Sequence, residues 1–448
     1  MDFKEKYSAY KEKAIELLRR LISFNTVLDE YKEGAIAPFG EGNKECLNYL
    51  LEYAKNDGFN VKNVDNYAGH IEYGNEGEIL GVLAHLDVVP FDASEWDSDP
   101  LTLDIRDGKM YARGSMDDKG PLVASYIAMK MLLDDGFKPK RRIRLITGCD
   151  EESGSRCLEH YLEHEAKPDL GFSPDAEFPL IYGEKGMTSF DINMPLDGII
   201  LDFSCGTRYN MVPSVAKMKL SVNLDKEYLE YLKANKLNGE IKDGYYVAYG
   251  EAAHAMCPEN GVNAGFILFD FILKNTDSKI AKFFDEYFLN DTWGKKLGID
   301  CYDEEMKYLT CNFAIARVEG NSMRLGFNCR VPLNECFSVI KEKLNLATEK
   351  YGYSYEIINE SNRHYISKDS ELVRTLMKVY KECTGDNVNE PITIGGGTYA
   401  REIGNAVAFG PMFVGREDVC HIANEYFIID DFDKAVEIYY NAIYELCK

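Results

Sequence analysis

Long apolar runs are missing from this sequence. None approaches the roughly 18 residues of a membrane-spanning helix, which argues against a helical membrane protein. The opening residues, Met1-Asp2-Phe3-Lys4-Glu5-Lys6, lack the apolar core of a secretory signal, and a cytoplasmic location is the expectation. The 12 cysteines are scattered and include no C-x-x-C pair. In a reducing compartment they are expected as free thiols, mostly buried as small hydrophobes; Cys149 and Cys420 flank proposed site residues, but their spacing fits no thiolate zinc motif. Positive charge is in deficit, with 51 Lys and Arg against 75 Asp and Glu, for a net charge of −24. A body this acidic repels a phosphate backbone, so a nucleic-acid partner is not expected. Repeats and low-complexity tracts are also absent.

What is there reads as globular. Hydrophobic residues make up 45% and charged residues 28% of 448, a soluble composition in a chain too long for one ordinary core. Residues 3–24 show helical periodicity, with Ile15, Leu18, Leu21 and Ile22 on one side, and 42–56 predict a second helix. Ile79–Ala84 is a short apolar run ending at His85, the pattern of a buried strand. Leu101–Arg113 alternates around Asp107-Gly108, a hairpin signal. A helix over 119–135, a strand over Ile143–Gly148, a helix from Ser155 to Glu165 and a short strand before Asp175 follow. This alternation predicts an α/β fold with a largely parallel central sheet flanked by helices. Near residue 184 the pattern changes to strands such as Ala216–Leu224 and Met323–Arg330 mixed with helices at Gly261–Lys274 and Glu335–Lys350. Beyond 363 the first pattern returns, with a helix at 369–383 and a glycine-rich turn at 395–397. The expectation is a catalytic domain built from 1–183 and 364–448, interrupted by an inserted α+β domain over 184–363.

Chemistry concentrates in the first pattern, where strands end. His85-Leu86-Asp87, Asp117-Asp118, Glu151-Glu152, Asp175 and the distant His421 supply ligands for two divalent cations plus one spare carboxylate, the makings of metal-assisted hydrolysis. His85 is read as a terminal ligand and Asp87 as the carboxylate that orients it. Asp117 is the candidate bridge and Asp118 its structural neighbour. Adjacent side chains diverge, so Glu152 is assigned to metal and Glu151 to general-base work. Asp175 completes the cation beside His85, and His421 the one beside Glu152. Singly each motif is weak; in order, at strand ends, they reinforce one another. Zinc is the first choice for mixed carboxylate and imidazole ligands, with manganese and cobalt as alternatives.

The sequence resembles the co-catalytic zinc exopeptidases typified by carboxypeptidase G, aminoacylase, acetylornithine deacetylase and succinyl-diaminopimelate desuccinylase. The matching stretches are Ala84–Pro90, Ala112–Gly120, Asp150–Gly154, Ser173–Asp175 and His421–Glu425. Ile394–Arg401 and the large insert make it similar to the bacterial PepV-type dipeptidases. That resemblance implies the metal and base roles above, a cis peptide after Asp117, and a lid formed by 184–363. It implies that His254 steadies the oxyanion of the tetrahedral intermediate. Arg330 is the candidate clamp for a substrate carboxylate, and Asn210 and Gly397 are further candidate substrate contacts. The size of the insert resembles monomeric relatives, so a monomer is expected rather than a homodimer.

The resulting expectation is a dinuclear dipeptidase acting on short peptides with a free C-terminus. Alternatives are an N-acyl amino acid deacylase, a carboxypeptidase on longer chains, or a non-catalytic binding protein of the same fold. His160 and His164, four apart without the glutamate of a zincin motif, are read as an exposed helix face.

Overall fold

The computed structural model describes residues 3–333 and 337–448. The chain divides into two compact units, one comprising Met1–Tyr182, Tyr365–Ile392 and Gly397–Lys448, the other Gly183–His364 and Thr393–Gly396. Among the described residues, no helix is long and apolar enough to cross a membrane.

The first unit is built around the Ile79–His85 strand, buried along its whole length. A run of Ile, Leu, Val and Ala with no polar alternation suits a strand covered on both faces. It lies parallel to Arg142–Gly148 on one side and Leu170–Ser173 on the other, and Ala406–Ala408 continues the parallel set beyond Leu170–Ser173. Ala68–Tyr73 and Asn60–Val64 extend the other edge as antiparallel strands. Three of the parallel strands thus stop at His85, just ahead of Glu151 and just ahead of Asp175. The helices Lys119–Asp134 and Ile429–Cys447 bury broad apolar faces in a core shared with the sheet.

Local chemistry fixes the details. Asp107 and Gly108 both take positive φ, 50° and 73°, closing the hairpin between Asp104–Arg106 and Lys109–Tyr111, as their sequence predicts. Gly120 is required at the start of the Lys119–Asp134 helix, because a Cβ there would lie 2.0 Å from the Ser115 carbonyl oxygen. The amphipathic stretch at the N-terminus is two helices, Phe3–Tyr7 and Lys11–Ile22, rather than one. The buried face of the second is Ala14, Leu17, Leu18, Leu21 and Ile22. Ile15 sits at its margin, one step round the helix from the expected stripe.

The second unit carries an antiparallel sheet in the order 238–242, 245–249, 215–220, 200–205, 310–319, 322–331, 186–195, 354–361. Val215–Leu220 alternates exposed and buried residues, the signature of a sheet packed on one face only. Helices Ala264–Asn275 and Lys279–Tyr287 contribute Phe266, Phe269, Phe283 and Phe284 to an aromatic core that also holds Phe313 and Phe327. The expected start of the next helix, Glu335, lies outside the described residues; within them a helix runs over Phe337–Tyr351. Thr393–Gly396 groups with this unit. The Lys185 N–H donates to the Ile394 carbonyl, Thr393 Oγ1 to the Glu305 carbonyl, and Arg330 to the Gly395 carbonyl.

Candidate metal centre

The strand-end placement brings His85, Asp87, Asp117, Glu151, Glu152, Asp175 and His421 into one cluster. Its centre is Asp117. Nε2 of His85 lies 3.0 Å from Asp117 Oδ1, and Nε2 of His421 lies 2.9 Å from Asp117 Oδ2. Two imidazoles from distant parts of the chain therefore face the two oxygens of one carboxylate. Glu152 Oε1 is 3.1 Å from His421 Nε2, and Asp175 Oδ2 is 3.8 Å from His85 Nε2. Ligand atoms of His85, Asp117 and Glu152 converge within 4.8 Å of one another, as do those of His85, Glu151 and Asp175. No cysteine enters either group among the described residues. The Asp117–Asp118 peptide is cis.

Backbone and buried carboxylates hold this geometry. Asp87 reaches His85 through both its main chain and its carboxylate. Its carbonyl oxygen lies 2.9 Å from His85 Nδ1, while its nearer carboxylate oxygen is 3.5 Å away. The carboxylate also accepts the N–H groups of Glu151 and Glu152, at 3.1 and 3.0 Å. The Asp87 carbonyl thus anchors Nδ1–H of His85 and turns Nε2 toward the cluster. The Asp87 side chain fixes the glutamate pair. Asp118, fully buried, accepts the His85 N–H at 3.1 Å. His421 takes a left-handed φ of 65°, a conformation histidine adopts more readily than most residues.

Electrostatically the cluster is starved of positive charge. Burial, reinforced by Asp175 and Glu152, pushes the Glu151 carboxyl well above the usual range. Burial and Asp117 push Glu152 up to about 7 against the opposing pull of His421, and burial also raises Asp175. Desolvation works against ionised Asp117, but hydrogen bonds from His421 and His85 outweigh it and hold Asp117 far below an ordinary aspartate. Crowded carboxylates with raised proton affinity, and imidazole nitrogens aimed at a shared oxygen pair, are the donor set that suits divalent cations. The residues present fit a pair of such ions.

Glu425 and Arg113 complete the frame, and no role for either emerged from the residues alone. The Glu425 carboxylate accepts from Arg113 Nη1 at 2.7 Å and from the N–H groups of Met116, Asp117 and Gly114 at 2.7, 3.1 and 3.3 Å. Arg113 also donates to the Ile422 carbonyl at 3.1 Å. This buried pair ties the segment carrying His421 to the segment carrying Asp117. Sequence order hides it, since the partners are 312 residues apart. Glu425→Gln leaves Arg113 buried without its counter-charge and turns one acceptor into a donor facing backbone N–H groups. A loss of about 3–5 kcal/mol is expected, read as a lowered midpoint in urea denaturation together with weaker metal retention.

The remaining candidates lie in the second unit or at its margin. An isolated bridge pairs Met211 with His254, and the Ala255 N–H donates to the Asn210 carbonyl, so Asn210 and His254 are neighbours. The Met256 N–H donates to His254 Nδ1 at 3.3 Å, which places the proton of a neutral ring on Nε2, ready to donate. Arg330 is not the surface residue its strand position allows: it is buried, with Nε donating to Asn328 Oδ1 at 2.8 Å and Nη1 to the Gly395 carbonyl at 2.9 Å. Met187 Sδ also touches Nη1. Gly395 supplies this contact from the glycine-rich turn. Gly397 is exposed, and the Arg401 guanidinium lies where its Cβ would be.

Comparisons with known proteins agree with this architecture. The chain is 40% identical to "Putative dipeptidase YtjP" of Bacillus subtilis (strain 168), over 98% of each protein. The crystal structure of human carnosine dipeptidase 1 shares its fold, with a TM-score of 0.61 at 15% identity, covering 99% of this chain and 98% of that one. A Bacillus subtilis protein, YXEP, described as a dinuclear metal binding peptidase from the M20 family, superposes with a TM-score of 0.54 at 9% identity, covering 98% of each chain. With residues 81–445 matching the model of Peptidase family M20/M25/M40, the chain belongs to that peptidase family.

Proposed function

We propose that the protein is a metal-dependent dipeptidase that hydrolyses the amide bond of short peptides bearing a free C-terminal carboxylate. The observation that carries the reading is the pair of imidazoles, His85 and His421, directed at opposite oxygens of Asp117 with Glu151 beside them. The dipeptidase name borne by a 40% identical relative supports the substrate class.

Asp117 would be shared between two cations, with His85 and Asp175 holding one and His421 and Glu152 the other, zinc first among the ions that would suit them. When bound, such a pair polarises a carbonyl and lowers the pKa of water. Glu151 Oε takes a proton from the attacking water and returns it to the departing amine nitrogen. Asp87 keeps Glu151 in place through its backbone N–H. His254 Nε2 donates to the developing oxyanion. Arg330 engages the substrate carboxylate with its guanidinium fork, and Asn210 and the Gly397 backbone are the further substrate contacts. The insert over 184–363 is assigned the role of a lid.

The test is a panel of dipeptides, tripeptides, dipeptide amides and N-acetyl amino acids, offered to enzyme loaded with zinc, manganese or cobalt. Dipeptides should give the highest kcat/KM, and their amides a clearly lower one. Fastest turnover of N-acetyl amino acids would replace the assignment with a deacylase, and no turnover with any metal would remove it.

A further inference from the structure

We propose that Asp65, His160 and His164 form a third metal site, remote in composition from the candidate centre. It would take a borderline divalent ion such as zinc, copper or nickel, and fasten the Arg156–His164 helix to the turn between the strands Asn60–Val64 and Ala68–Tyr73. One donor atom from each residue lies within 4.8 Å of the other two. The sequence alone marks His160 and His164 only as one helix face; the third donor comes from 95 residues upstream.

The helix sets the two imidazoles. Residues four apart stack on one face, and the ring centroids of His160 and His164 are 4.3 Å apart at 31°. His164 Nδ1 lies 2.8 Å from the His160 carbonyl oxygen, a contact in which Nδ1–H donates and the Nε2 lone pair is left for a metal. Metal-bound histidines commonly anchor their second nitrogen in this way, on a carbonyl or carboxylate. His160 is held by stacking on Tyr67, with centroids 3.9 Å apart and planes at 16°. Its Nε2 points at Asp65 Oδ2, 3.0 Å away.

The turn sets the carboxylate. Asp65 and Asn66 both take left-handed φ, 51° and 59°, the pair of values at the centre of a type I′ turn, which Asp and Asn tolerate. The Tyr67 N–H closes it on the Val64 carbonyl at 2.9 Å, and the Asn66 N–H bonds Asn63 Oδ1 at 2.8 Å. Ion pairing explains Asp65 with His160 but gives no reason for a second imidazole packed at a tilt beside the first. A shared cation does, because it accepts a lone pair from each ring and the carboxylate neutralises part of its charge. Bonds of about 2.0–2.2 Å to a tetrahedral ion put the donors roughly 3.3–3.6 Å apart. Small rotations of Asp65, 67% exposed, and of exposed His164 close the gap. Two nitrogens and one oxygen favour zinc, copper or nickel over magnesium or calcium, and three protein ligands leave a position for water.

The Arg156–His164 helix starts just after the Glu151-Glu152 pair, and its first residue is fixed by two contacts of 2.6 Å from Arg156 to Asp150. An ion at its far end braces the element that follows the glutamates.

The experiment compares the native enzyme with His164→Gln and Asp65→Asn after equilibration with zinc at low micromolar concentration. Elemental analysis should give one more ion per chain in the native protein than in His164→Gln, however many the candidate centre holds, so this outcome is separable from the dipeptidase assignment. Copper added to zinc-loaded enzyme should show two imidazole nitrogens by electron paramagnetic resonance. His164→Gln should weaken that binding by at least about 10–100-fold, the loss typical of disturbing even an outer partner, while leaving dipeptide turnover without added copper unchanged. Equal stoichiometry in native and variant, or a copper signal that survives His164→Gln, would overturn the site.

Discussion

Glu151→Gln should lose about 10²–10⁴-fold in kcat while keeping its metal content, the range measured for removal of a general base. In barrier terms this is roughly 3–5 kcal/mol. The amide keeps the volume of the carboxyl and leaves the Glu151 N–H free to donate to Asp87, so the turn that also carries Glu152 is undisturbed. What it removes is the proton acceptor. Without a cation in the cluster, burial and the Asp175 and Glu152 charges hold the Glu151 carboxyl well above the ordinary range. KM should change little, because the amide removes an interaction made while the proton moves rather than on binding. The opposite outcome, loss of an ion with the activity, would mean that Glu151 is the ligand. Its position within reach of His85 and Asp175 makes that exchange of roles with Glu152 the specific alternative the metal analysis decides.

Much of this site is legible in the sequence, for a physical reason. Parallel strands buried on both faces read as unbroken apolar runs, and the residues just after them sit at the open edge of the sheet. Ile79–Ala84 announces His85, Ile143–Gly148 announces Glu151 and Glu152, and the run before Asp175 announces Asp175. The illegible parts depend on which atom of a residue is used or on pairing across the chain. Nothing in His85-Leu86-Asp87 says that the imidazole rests on the Asp87 carbonyl while the carboxylate reaches the glutamate turn. Nothing near Arg113 points to Glu425. The break between Phe3–Tyr7 and Lys11–Ile22 is invisible because apolar periodicity continues across it. The His160–His164 pair carries a recognisable spacing, but its meaning depends on a turn residue, Asp65, that only the folded hairpin brings alongside.

Asp117→Ala should abolish turnover and remove both ions, not one. His85 and His421 each lie within 3.0 Å of a different oxygen of this carboxylate, so its loss takes a ligand from both halves at once. Replacing His421 takes a ligand from one half only. The substitution also leaves Glu152 and Asp175, each only partly exposed, without the hydrogen-bonded centre that organises the two imidazoles. Elemental analysis after dialysis is the direct readout, and an Asp117→Ala protein that retained one ion would show that the carboxylate is a terminal ligand. The native protein supplies the control through pH. Glu152 carries a carboxyl raised to about 7, so below that pH a proton occupies the oxygen that a cation needs, and above it the carboxylate is ready. Metal affinity of the native enzyme should therefore fall as pH drops from 8 to 6, with more protons released on binding at the lower value. In Asp117→Ala the proton release should disappear along with the ions, because the exchange of protons for metal at Glu152 depends on a cation that Asp117 helps to hold.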